Sequence, residues 1–132
     1  MSMTNIMIEE DLFDYLKTNV YPDLEMSLNP ISRWDCYSPI RHHRIELKCR
    51  RTHYEDLVIE KGKFDALIKQ ANEDFDVPIY INSTPKGIYS WNLFYIYPEW
   101  FYKDLPKTTD FIDNNKISKE IAMLPVIDAI IL

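Results

Sequence analysis

Three residues of this chain have the types and spacing of a metal-assisted hydrolytic site: Asp35 and, after ten intervening residues, Glu46 and Lys48. Carboxylates are hard oxygen donors suited to Mg²⁺, which takes one or two of them and keeps several waters. An ion held there would polarise a phosphate and lower the pKa of its own water, while an ammonium beside it stabilises or positions the attacking hydroxide. The chemistry that fits is phosphodiester hydrolysis. Glu46-Leu47-Lys48 is the single Asp/Glu-x-Lys triplet in the chain.

Positioning these groups requires a strand pair. In "RIELKCRR" (44–51) the apolar Ile45, Leu47 and Cys49 alternate with Arg44, Glu46, Lys48 and Arg50, and a period of two marks a half-buried strand. "RWDCYS" (33–38) reads as a second strand, separated from the first by the turn signal "SPIRH". If Pro39 to His42 form the loop, Ser38 pairs with His43, and stepping outward brings Asp35 directly opposite Glu46. Directly opposed side chains share a face with Cβ atoms about 4.5–5.5 Å apart, where like charges are destabilising. A divalent cation held by both carboxylates would compensate. Lys48 would lie on the same face, opposite Arg33. An odd loop length would instead turn Asp35 to the other face, and an amphipathic hairpin with surface ion pairs is the competing reading.

The surrounding elements follow from periodicity. Ile8 to Val20 reads as a helix, with Leu12 and Leu16 on one face, acids in its first turn and Tyr21-Pro22 at its end. Leu24 to Ile31 reads as a short strand. After a polar stretch from Thr52 to Gly62, the residues Phe64, Leu67, Ile68, Ala71 and Phe75 predict an amphipathic helix of about three turns. "VPIYIN" is a buried-strand pattern, "STPKG" a turn and "IYSWNLFYIY" an aromatic strand. Beyond Pro98, "EWFYKDL" predicts a short helix or an aromatic flap, and "ISKEIAMLPVIDAIIL" mixes a helical period with a break at Pro125. This apolar tail should be covered by the rest of the domain. The expected order is helix, strands, helix, strands: an α/β domain whose second helix crosses between two strands of one sheet.

At 132 residues, with 46% hydrophobic and 27% charged residues, the chain fits one globular domain. It shows no secretory leader and no apolar run of membrane-spanning length, so a cytoplasmic protein is expected. Cys36 and Cys49 fall on the apolar sides of their strands and should be reduced core thiols. The net charge of -6 disfavours indiscriminate, charge-driven nucleic-acid binding. All five arginines nevertheless lie between Arg33 and Arg51, which permits a local basic surface.

Asp35 followed by Glu46-Leu47-Lys48, within this order of elements, resembles the PD-(D/E)xK nuclease superfamily, which includes restriction-type enzymes and small phage nucleases. The resemblance covers about residues 8–96, with 97–132 as a tail packed on that core, and residues 1–132 forming a single domain. It implies a restriction endonuclease-like fold: a mixed central sheet flanked by helices with an αβββαβ core. It also implies Mg²⁺, with Mn²⁺ as a substitute, held by Asp35, Glu46 and the Leu47 backbone carbonyl, with Lys48 assisting the nucleophile. Trp34 stands where the family's nominal proline would be. An acid from the first helix often joins such sites; Glu9, Glu10 and Asp14 are candidates, and Glu25 competes with them. Lys61 and Lys63, at the start of the second helix, resemble basic residues that some members place near the phosphate.

Arg33, Arg44 and Arg50 are candidates for binding nucleic-acid phosphate as planar forks. His42 and His43 read as solvated turn residues. Trp91, Tyr97, Trp100 and Phe101 could stack on bases, although such aromatics more often form core. The expected function is Mg²⁺-dependent cleavage of nucleic acid, with DNA as the expected substrate, although the motif itself does not choose between DNA and RNA, and with a homodimer to engage both strands. The alternative is a module that kept the nuclease fold without the reaction and binds nucleic acid or a protein partner.

Overall fold

Alternation along the two central strands gives their sheet one apolar and one charged face, and a different helix covers each. The computed structural model describes residues 7–27, 35–106 and 116–132. Arg33, Trp34 and the outer part of the strand expected over 24–31 lie outside the described residues. In chain order the elements are α1 (Glu9–Asn19), β1 (Glu25–Met26), β2 (Asp35–Ser38), β3 (His43–Cys49), β4 (Asp56–Glu60), α2 (Lys61–Asp74), β5 (Val77–Thr84), β6 (Gly87–Asn92), β7 (Phe101–Pro106), β8 (Lys116–Pro125) and β9 (Ile130–Ile131). The protein is mixed α/β. One sheet has six strands in the order β1-β2-β3-β5-β6-β9, and a second has three in the order β4-β8-β7. Strands β1, β2 and β3 pair antiparallel, whereas β3 and β5 run parallel.

Helix α1 starts with Glu9, Glu10 and Asp11 in its first turn, where acids favour the macrodipole. Its buried Leu12 and Leu16 cover Cys36, Ile45, Leu47, Ile79 and Ile81, the apolar side of the sheet. Strand β5 is buried along nearly its whole length, because its other face meets a second core. There Tyr80 and Trp91 pack with Leu67 on α2's side and Leu57, Ile59, Ala122 and Leu124 from the second sheet. The Trp91 indole N–H donates to the Pro125 carbonyl at 3.0 Å and ties the sheets together.

Several sequence expectations need correction. The stretch expected to be polar connection contains β4, whose Leu57 and Ile59 point into the second core while Asp56 is exposed. Helix α2 accordingly begins directly after β4 and runs for 14 residues, nearly four turns rather than about three. The aromatic strand stops at Asn92, whose side-chain oxygen accepts from the Phe94 N–H at 3.0 Å and caps a 3₁₀ turn over Leu93–Tyr95. Among the described residues beyond Pro98, the stretch expected as a short helix or flap forms β7, and the tail forms β8, paired along both edges, followed by a 3₁₀ turn over Val126–Asp128 and β9. Apolar residues on both faces of β8, Ala122 and Leu124 on one and Ile121 and Met123 on the other, blur the alternation that would identify a strand.

Candidate active site

The β2–β3 hairpin sets the site. Its register pairs Ser38 with His43, Tyr37 with Arg44, Cys36 with Ile45 and Asp35 with Glu46, the arrangement expected for a loop over 39–42. Asp23 fixes that loop from outside the hairpin: its carboxylate accepts from the Ser38 hydroxyl at 3.0 Å and from the Ile40 N–H at 2.8 Å. These hydrogen bonds, the Ile40 amide first, hold the Asp23 pKa below its usual value. His42 closes the loop in a left-handed conformation with φ 54°, one that histidine tolerates better than branched residues.

On the α2 side of the sheet, Asp35 and Glu46 line a cleft of about 100 Å³ with Ile59, Lys63, Ala66, Leu67, Gln70 and Tyr80. That is room for several waters, at roughly 10–15 Å³ of such volume each. Burial, followed by the hydrogen-bonded carboxylate of Asp35, pushes the Glu46 pKa up to about 8, against the pull of Lys63. The ammonium of Lys63 lies 3.1 Å from Glu46 Oε1. Burial lowers the Lys63 pKa, but Glu46 and then Asp35 more than offset this and leave it raised.

Lys48 shares the Glu46 face and stands in register with Asn82 of β5. Burial and then Arg50 lower its pKa, with Glu9 and Glu60 acting in the opposite direction. Among the described residues no carboxylate lies within ion-pair distance of its ammonium. Leu47 turns its side chain into the core beneath α1 and is 2% exposed, leaving its backbone as the group available between Glu46 and Lys48.

The remaining expected residues are dispersed. Glu9 accepts from the Cys49 N–H at 3.4 Å at the far end of β3. Glu10 is exposed on α1. Glu25 is also exposed and lies opposite Tyr37, two positions from Asp35 along β2. Among the described residues no third acid joins the pair into a metal-binding cluster. Arg44 stacks on Tyr37 at 4.6 Å and pairs with Asp74 at 3.1 Å and Asp76 at 3.3 Å. Arg50 donates to Asn82, the Val58 carbonyl and the Tyr80 hydroxyl, bracing β4 against β5. Lys61 pairs with Asp65 and lies over the Trp100 ring. His43 is half-buried, its Nδ1 2.9 Å from the Tyr21 hydroxyl, rather than solvated.

Asp23, Gln70 and Tyr80 escaped sequence reasoning. Gln70 was detectable in principle, since Lys63, Leu67 and Gln70 recur at helical steps on one face of α2. Asp23 acts across a turn that local spacing does not encode.

The donor set fits a hard divalent cation. Two carboxylates face each other, one of them retaining its proton well above the usual carboxylate range, in a cleft with room for water. Mg²⁺ commonly uses only one or two protein carboxylates and fills the rest of its octahedron with water or substrate oxygens. Comparison with protein-family models, with characterised proteins and with solved structures yields no match to this chain.

Proposed function

We propose that this protein is a Mg²⁺-dependent nuclease, acting on DNA, built on a restriction endonuclease-like αβββαβ core. The observation that carries the reading is Asp35 directly opposite Glu46, with Lys48 next on the same face. Further support comes from the order α1, then antiparallel β1, β2 and β3, then α2 leading to β5 parallel with β3. Strand β4 is an insertion before α2 that belongs to the second sheet.

Asp35, Glu46 and the Leu47 carbonyl would hold Mg²⁺, which when bound polarises the phosphate and acidifies a water. Lys48 positions that water, its pKa lowered by burial and then by Arg50. Lys61 and Lys63 lie on the first turn of α2, and Lys63 reaches Glu46 at the cleft. Where both strands of a duplex are cut, a second copy of the chain would supply the second site.

A module that binds nucleic acid or a protein partner without cutting is the second reading. It is favoured by the internal partners that occupy Arg44 and Arg50. A cleavage panel separates the two, using single-stranded, duplex, nicked and branched DNA and RNA, with Mg²⁺ and with EDTA. The nuclease reading expects cleavage that needs the metal and falls at least about 100-fold in Asp35→Asn and Lys48→Ala, with melting temperatures close to wild type. Full activity in both variants rules out this site, and binding without cleavage in Mg²⁺ or Mn²⁺ selects the second reading.

A further inference from the structure

Helix α2 carries charge against its own dipole. Its first turn holds Lys61 and Lys63 and no acid, and its last turn holds no base, although acids are favoured at helix N-termini and cations at C-termini. Lys61 is offset within the helix by Asp65, and Asp74 from outside it by Arg44 on β3. Lys63 is also offset from outside the helix. It reaches out of its helix to Glu46 on β3, at 3.1 Å, where the facing Asp35 also attracts it.

We infer that Lys63 is the resident counter-ion of the Asp35–Glu46 pair in the metal-free protein, and that a divalent cation binds by displacing it. The inference rests on the proposed metal site and adds a role that local helix chemistry does not explain. Two facing carboxylates in a small cleft need positive charge, and Lys63 supplies one charge in the absence of metal. The Lys63 side chain is 58% exposed, so its long stem can swing into solvent without opening the core. Once released, the ammonium stands at the rim of the same cleft, placed to meet a phosphate oxygen.

The sign of the effect follows from charge. Removing a positive charge beside the pair strengthens the site's attraction for any cation, and a divalent ion gains twice what a proton gains. Metal affinity therefore rises. Calorimetric titration of the full chain with MnCl₂ at low salt tests this. Lys63→Met is expected to bind Mn²⁺ about tenfold tighter than wild type, whereas Lys63→Arg, which keeps the charge, stays within about twofold. If Lys63→Met does not fold, as judged by its melting curve, Lys63→Gln takes its place with the same expectation.

A purely structural ion pair would lower the melting temperature in EDTA while leaving Mn²⁺ affinity unchanged. Equal or weaker Mn²⁺ binding in a folded charge-removal variant overturns the exchange and leaves the nuclease reading standing. Absence of Mn²⁺ binding by wild type and variant alike overturns both.

Discussion

Glu46 holds its proton up to about pH 8 in the folded chain, whereas the ordinary value is 4.5. Between those values the folded protein binds more protons than the unfolded chain, so this group makes stability fall as pH rises, with the full cost present above pH 8. Removing the charge should reverse the cost. Without metal, Glu46→Gln is expected to be about 2 kcal/mol more stable than wild type at pH 9, with the difference vanishing below about pH 4.5. Urea unfolding in EDTA across that range checks it, and parallel pH profiles for the two proteins would show that Glu46 ionises without penalty. The facing of Asp35 and Glu46 was legible in the sequence because a period of two determines which side chains share a face. The internal use of Arg44 and Arg50 was not, because their partners Asp74, Asp76 and Asn82 lie about 30 positions away.

The element on which the site depends is the β2–β3 hairpin, where a slip of one residue would turn Asp35 away from Glu46. Asp23 guards that register through Ser38 and Ile40. Asp23→Ala should lower the melting temperature by about 5 °C at pH 7 and weaken metal binding through loss of register. The Asp23 pKa lies below its ordinary value of 3.8 when folded, so its contribution is present above that value and is lost as pH falls through the folded pKa. The melting difference should therefore shrink in acid, and a difference constant from pH 7 to pH 3 would assign the loss to packing instead. The hairpin was readable because alternation and turn chemistry agree. Strand β8 was not: Ile117, Ile121 and Leu124 stand at four- and three-residue steps that imitate a helix, and only pairing with β4 on one edge and β7 on the other makes it a strand.

At the scale of the molecule, a second sheet absent from the sequence reading closes one side of the cleft through Ile59, while α2 supplies Lys63, Ala66, Leu67 and Gln70. Short β4, flanked by acids and recognisable only by Leu57 and Ile59, acquires its meaning from partners more than 60 positions away. Among the described residues no helix is long and apolar enough to cross a membrane. The charged face of the central sheet presents Asp35 and Glu46 to a cleft walled by Ile59, Leu67 and Tyr80. Fold, register and chemistry converge on the space between Asp35 and Glu46, and a crystal soaked in MnCl₂ and measured for anomalous scattering tests all three at once. The expected result is a manganese peak held by the carboxylates of both Asp35 and Glu46. A fully occupied soak with no peak there, or a peak bound only by other residues, would contradict it.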